Sequence, residues 1–320
     1  MKANDRLPSN KLLAVLLLLL LSVVPTVAAA TEIRVGTWRT AQTIQPFFYK
    51  DFLPEGVNIA VRAFTNPADQ KTALLAGSLE MTGTTLAHAI HSASLGQPVV
   101  VVAALCARAS ALVVGTGSGI ESVAALKNKT IGYVPGTMHE ILLRETLRRN
   151  NLSPNTDVTL MRVDFFDMGL ALARGNIDAF LSGEPFPTLA VEQGYGRILS
   201  YPYFEDSVGT INAAMIVNRS TIEKHPEIVQ QLVNAHAAAT DWLNTNPQEW
   251  LQAAAEFGTP LPILEQAAGN MELSWNMDTT FIRQAQALGE QMQALGIISH
   301  QPDYERLFDL SFVNKVSTGQ

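Results

Sequence analysis

Few residues in this chain stand at the spacing that covalent chemistry needs. No G-x-S-x-G, H-E-x-x-H, P-loop or G-x-G-x-x-G run occurs, and Gly115-Thr116-Gly117 lacks the rest of a phosphate loop. His88 and His91 are i, i+3 neighbours on one helix and could share a metal, but no third ligand stands at helical spacing. Surface or core histidines are the preferred reading, and no metal, no cofactor and no catalytic residue are expected. Cys106 is the single cysteine, so no disulfide framework or CxxC pair exists. It follows the apolar run Val99–Leu105 and reads as a buried small hydrophobe.

Binding is better supported than catalysis. Thr84-Thr85 and Gly136-Thr137-Met138 each stand where a strand should hand over to a helix. Helix N-termini carry unpaired backbone N–H groups, which suit an oxyanion or the acceptors of a polar heterocycle; equally, Thr84 and Thr137 could be plain helix caps. Trp38 and Arg39 close a first strand, where the ring could stack on a ligand and the guanidinium could pair an anion or lie solvated. Ser110 should sit at the back, where two halves of the chain meet. Glu184, in a Gly-Glu-Pro turn at another strand end, could accept from an amine or pyrimidine N–H, act as a charged lip that locks two lobes shut, or cap the next helix.

These residues need a scaffold of alternating strands and helices. From Thr130 the pattern reads strand (131–134), turn, helix (138–150), strand (158–163), helix (167–174), strand (177–181). Such alternation means βαβ units and a parallel sheet, with ligands outside the carboxyl ends of the strands. Upstream the order repeats: strand 32–37, helix 43–52, strand 58–64, helix 67–75 capped by Asn66, strand 79–82, helix 84–94, strand 99–104. Sliding the chain by 98 residues lays Ile33 on Ile131, Gly77 on Gly175, Leu79-Glu80 on Ile177-Asp178 and Gly96 on Gly194. Two similar α/β lobes follow from this, with Ala111–Val114 and Ala213–Val217 as paired crossovers forming a hinge. A helix over 120–127 should open the second lobe. From Ser220 onward helix follows helix, punctuated by Pro226, Pro247, Gly258-Thr259-Pro260 and Gly269, with Trp242, Trp250 and Trp275 expected in the core.

The N-terminus is of another kind. Lys2, Arg6 and Lys11 precede the apolar run Leu12–Val24, and Ala28-Ala29-Ala30 offers a small-residue cleavage site: a secretory signal peptide over 1–30. The apolar run is short of the ~20 residues that span a bilayer. Removing it leaves 19 basic against 28 acidic residues, net −9. An acidic chain without a basic stripe is a poor partner for nucleic acid or an anionic membrane. With 47% apolar residues the remainder can bury a sizeable core.

Four stretches together carry a family likeness: Leu75-Ala76-Gly77-Ser78-Leu79-Glu80, Ser122–Lys129 (SVAALKNK), Ile131–Thr137 (IGYVPGT) and Ala171–Ala179 (ALARGNIDA) with Glu184-Pro185. In order and spacing they resemble the solute-binding proteins of ABC importers for nitrate, sulfonate and taurine, which share a pattern with thiamine-precursor binders. The resemblance implies a type II periplasmic-binding-protein fold; the self-similarity and the paired crossovers put lobe one at 31–109 plus 213–320 and lobe two at 110–212. The resemblance further implies a periplasmic, non-enzymatic monomer that closes on a sulfonate- or nitrate-like anion or a small N-heterocycle and delivers it to a membrane permease. Two rivals share the architecture: two-lobed enzymes such as porphobilinogen deaminase, and sensory binding proteins that report to a receptor. The yeast-type pyrimidine synthases also resemble this family but carry a cysteine-rich iron motif, from which a chain with one cysteine and a signal peptide departs.

Overall fold

The computed structural model describes residues 32–65 and 67–318. The expected signal peptide, its cleavage site and the Asn66 cap lie outside the described residues. Among the described residues no helix is long and apolar enough to cross a membrane.

The chain builds two mixed sheets. The first contains β1 (Ile33–Trp38), β2 (Ile59–Phe64), β3 (Met81–Thr85), β4 (Val99–Arg108), β10 (Ile211–Asn218) and β11 (Met271–Leu273), in the order β11-β4-β10-β3-β1-β2. The second contains β5 (Ser110–Gly115), β6 (Thr130–Tyr133), β7 (Thr159–Arg162), β8 (Ala179–Gly183) and β9 (Gly196–Ser200), in the order β7-β6-β8-β5-β9. The two orders are the same order: β2-β1-β3-β10-β4 matches β7-β6-β8-β5-β9, and β8 stands 98 residues after β3.

Neither sheet is purely parallel, which departs from the βαβ expectation. β10 runs antiparallel between β3 and β4, and β5 antiparallel between β8 and β9. The two segments read as crossovers are thus central strands, each inserted into a sheet after the chain has left the other one. Their pairing also lengthens their neighbours. Thr85 pairs with Ala213 and Gly183 with Ser110, so β3 and β8 each run past the predicted strand ends.

Local departures have local causes. The helix expected over 43–52 is instead two 3-10 helices, Ala41–Thr43 and Gln45–Asp51. The Thr37 hydroxyl donates to the Thr43 carbonyl (2.7 Å), and Phe47 N–H bonds Ile44 instead of Thr43. That occupies the acceptor an α-helix would use for its i→i+4 ladder. The helix expected over 120–127 is a single 3-10 turn, Val123–Leu126.

The continuous apolar run of β4 is buried on both faces, as expected of a strand covered on each side. One cover is the helix Pro226–Thr245, whose Pro226 stands in the first turn, where a missing N–H costs nothing. Its His236 donates from one ring nitrogen and accepts at the other. Nε2 bonds the Ala104 carbonyl (2.7 Å) and Nδ1 meets Tyr49 Oη (2.9 Å), both buried. Trp250, on the helix Pro247–Ala255, donates to the Ala41 carbonyl (2.7 Å) and pins the turn Ala41–Thr43. Trp250 is therefore core and brace, whereas Trp242, packed beside Phe48, and Trp275, donating to Asp241 (2.8 Å), are half-buried.

Candidate functional site

A cleft open at its mouth lies where the two sheets face each other. The first sheet contributes Trp38, Arg39 and Thr40 after β1, then Gln42 and Thr43, Phe64 and Thr65 after β2, Thr85 at the end of β3, Cys106 of β4, and Asn212 and Ala213 of β10. The second contributes His139, Phe165 and Phe166 after β7, Gly183 at the end of β8, and Phe186. All but Cys106, Asn212, Ala213 and the helix residues follow or end parallel strands, the place where open α/β sheets take ligands.

Three of the residues anticipated from sequence line this cleft: Trp38, Arg39 and Thr85. The other six are placed behind or beside its wall. Thr84 is fully buried inside β3, because pairing with β10 carries the strand past it; Thr85 is the cap instead, accepting from His88 N–H (3.3 Å). Thr137 caps the helix Met138–Arg149 from a fully buried position, accepting from Glu140 N–H while its hydroxyl donates to the Val134 carbonyl (2.8 Å). Glu140 reaches back to accept from Gly136 N–H (2.6 Å) and holds Arg144 (2.8 Å). The Glu140 carboxylate thus braces the turn just before the helix, a variant of the capping box in which the residue preceding the cap is the donor. Met138 points into the core.

Glu184 is 1% exposed and turned towards the crossings between the sheets. Its carboxylate accepts from Asn270 Nδ2 (3.2 Å) and Thr188 N–H (3.2 Å), and burial raises its pKa. Asn270 is the hub of that region. Its side chain also donates to the Ser110 carbonyl (3.3 Å) and accepts from Tyr203 Oη (2.5 Å), and its carbonyl accepts from Ala109 N–H (2.5 Å). Between β4 and β5 both Arg108 (φ 62°) and Ala109 (φ 67°) adopt the left-handed region, which costs a residue with a Cβ roughly 1–2 kcal/mol.

Ser110 Oγ lies 3.0 Å from His139 Nδ1 and fixes a ring that packs edge-on against Phe165 at 5.6 Å. Burial lowers the His139 pKa to about 4, so the ring is neutral at pH 7. The Cys106 thiol, also a lining group, is pushed up to about 12 by burial and stays protonated. Among the described lining residues Arg39 is the one Lys or Arg; it is exposed at the rim, 5.3 Å over the Phe257 ring. Among the described lining residues none is a carboxylate. Five carry large aromatic rings, and Phe165 stacks on Phe186 (6.1 Å, 5°) with Phe166 edge-on to it. Two buried polar atoms on the lining residues, Trp38 Nε1 and Gln42 Oε1, have no protein partner.

Sequence reasoning passed over Gln42, Phe64, His139, Phe165, Phe166, Phe186 and Asn212. The strand-end position that marks Trp38 is shared by Phe64, and Phe165 follows β7 in the same way. Gln42 and Asn212 carry no comparable local signal.

No group of three His, Cys, Asp or Glu side chains among the described residues is placed to hold a metal. What the site can do is stack, exclude water and exchange neutral hydrogen bonds.

The family model described as NMT1/THI5 like matches residues 48–250, and the chain belongs to that family. A Brucella abortus protein named as a candidate binding protein is 27% identical over 75% of this chain and 76% of its own length. The 4-amino-5-hydroxymethyl-2-methylpyrimidine phosphate synthase of Schizosaccharomyces pombe is 26% identical over 65% of this chain and 64% of its own. Among solved structures, the ligand-binding component of an ABC-type import system from Staphylococcus aureus superposes with a TM-score of 0.79 at 16% identity, covering 89% of this chain and 99% of that one. The alkanesulfonate-binding protein of Xanthomonas axonopodis, bound to MOPS, gives 0.77 at 19% identity, covering 88% and 98%. The fold is that of the periplasmic binding proteins, two α/β sheets with helices around them.

Proposed function

We propose that this protein is an extracytoplasmic solute-binding protein, which holds a small molecule between two lobes and presents it to an ABC importer permease. The lobes are the two sheets with their helices, about 31–109 plus 213–320 and 110–212, and the two crossings around Ala109 and Asn212 are the hinge. The family, the fold and the cleft between the sheets support this reading. The signal-peptide pattern supports the compartment.

The lining narrows the solute. A small inorganic anion such as nitrate would be stripped of water among aromatic rings with its nearest cation exposed at the rim, and burying an unpaired charge is costly. A planar ring, by contrast, suits a cleft lined by Trp38, Phe64, Phe165, Phe166 and Phe186, and Arg39 at the rim can pair an acidic substituent. The solute class is therefore an aromatic or heteroaromatic molecule, uncharged in its ring. The observation that carries this is five aromatic rings without a carboxylate in one cleft.

Binding rather than turnover is supported by the family's binding-protein relatives, and the protonated Cys106 thiol supplies no activated nucleophile.

A thermal-shift screen of pyrimidines, flavins, aryl and alkyl sulfonates, phosphonates, nitrate and bicarbonate tests the reading. A ring-bearing solute at 100 Kd should add about 2.7 kcal/mol of stability. Stabilisation by nitrate or bicarbonate with no response to any ring would overturn the solute class. Consumption of the bound solute would overturn the assignment as a binder.

A further inference from the structure

Beside the cleft the two sheets touch at a glycine. Gly136 belongs to the turn between β6 and the helix Met138–Arg149; His88 belongs to the helix Leu86–Ser94, which follows β3. A Cβ added to Gly136 would lie 2.6 Å from His88 Nε2, 3.2 Å from Cδ2 and 3.4 Å from Cε1. The backbone of one lobe thus rests on the imidazole of the other, closer than any side chain would allow. The contact borders the solute cleft, since Thr85 and His139, three residues from His88 and Gly136 respectively, both line it.

Neither partner gives way easily. Gly136 is held by its N–H bond to Glu140, and the next residue by the Thr137 hydroxyl bond to Val134. His88 has its Nδ1 3.4 Å from Thr85 Oγ1, and its carbonyl accepts from Ser92. The turn also needs glycine conformationally, at φ +76°. A methyl at 136 therefore has to be accommodated by moving one lobe away from the other.

We propose that the His88–Gly136 contact is the stop that sets how far the lobes close, and that the missing side chain at 136 is what permits full closure over the solute. This rests on the two-lobe reading above but not on the identity of the solute. The consequence is a position outside the ligand contacts that governs affinity through the depth of closure.

The test is a distance measurement on the full chain without added solute. Spin labels go on Arg62→Cys and Arg162→Cys, exposed positions on the edge strands β2 and β7 of the two sheets; Cys106 is buried and does not compete. Gly136→Ala should shift the inter-label distance to longer values. Gly117→Ala, with the same left-handed backbone (φ +73°) but no atom within 4 Å of the added methyl, should leave it unchanged. His88→Ala combined with Gly136→Ala should restore the parent distance, because the methyl then has room. Circular dichroism establishes that each variant is folded. An unchanged distance in Gly136→Ala overturns the stop, as does a lengthened distance that His88→Ala fails to restore. One narrow distance in every variant, Asn270→Ala at the hinge included, overturns the mobile-lobe reading itself.

Discussion

At the scale of single residues, the cleft separates groups free to meet a solute from groups already engaged with the protein. Trp38 and Phe165 are of the first kind. Truncating an aromatic side chain that would otherwise be buried against the solute removes about 1.5–3 kcal/mol, or about ten- to a hundredfold in Kd at 1.4 kcal/mol per decade. Trp38→Ala and Phe165→Ala should each weaken a ring-bearing solute by that factor in calorimetry; equal affinity in both variants would place the solute elsewhere. Arg39→Ala should matter only for solutes with an acidic substituent, so its effect sorts ligands by charge. Thr137 is of the second kind. Its hydroxyl makes two local bonds, so Thr137→Ala should cost about 1 kcal/mol of stability as a lost cap and leave affinity unchanged. A tenfold loss of binding without a loss of stability would return Thr137 to the site.

At the scale of elements, the antiparallel strands β5 and β10 decide the geometry. Each comes from beyond the crossing and inserts between parallel strands, which carries β3 to Thr85 and β8 to Gly183. Both strand ends thereby reach the cleft while Thr84 and Ser182 are sealed within the sheets. The crossing is held by polar bonds in addition to the apolar packing of Ala109, Ile211 and Ala213. Asn270 ties the Ser110 and Ala109 backbone, Tyr203 and Glu184 into one cluster. Asn270→Ala leaves buried partners unsatisfied, at about 1–3 kcal/mol. Urea unfolding should show that loss, and Glu184, deprived of a donor that favours its charged form, should titrate at a still higher pH. A variant as stable as the parent would mean that water replaces the amide at no cost.

At the scale of the whole molecule, three buried histidines make the fold sensitive to acid. Burial lowers His88, His139 and His236 each to about 4 from 6.5. Between those values the unfolded chain binds more protons than the folded one, so stability falls as pH drops from about 6.5 and the loss levels off below about 4. Each histidine contributes up to ~3 kcal/mol at 1.36 kcal/mol per pH unit. Glu145, lowered despite its burial by the bonds from Arg148 and Arg149, adds to the loss in the carboxylate range; Glu184, raised by burial, acts in the opposite sense. Thermal unfolding at pH 7 and pH 4.5 should show a marked drop in Tm, smaller in His139→Gln. A flat profile would mean that these rings admit water and charge freely.

How much was legible in advance depended on how local its cause is. Periodicity gave the strands and helices, because burial of one face repeats at 2 or 3.6 residues along the chain itself. The 98-residue self-similarity marked two like halves, since strand starts and the glycines after helices are local features. Trp38, Arg39 and Thr85 were visible as residues at strand ends. The ranges 43–52 and 120–127 were misread because side-chain bonds and tight turns there compete with the α-helical ladder. The rest had no local signature. That β5 and β10 would insert antiparallel and that Glu184 would turn to Asn270, 86 residues away, depend on partners distant in sequence. Pairing and burial between such partners are decided only when the chain is packed, and it is the packing that made the cleft aromatic and set six of the nine anticipated residues behind or beside its wall.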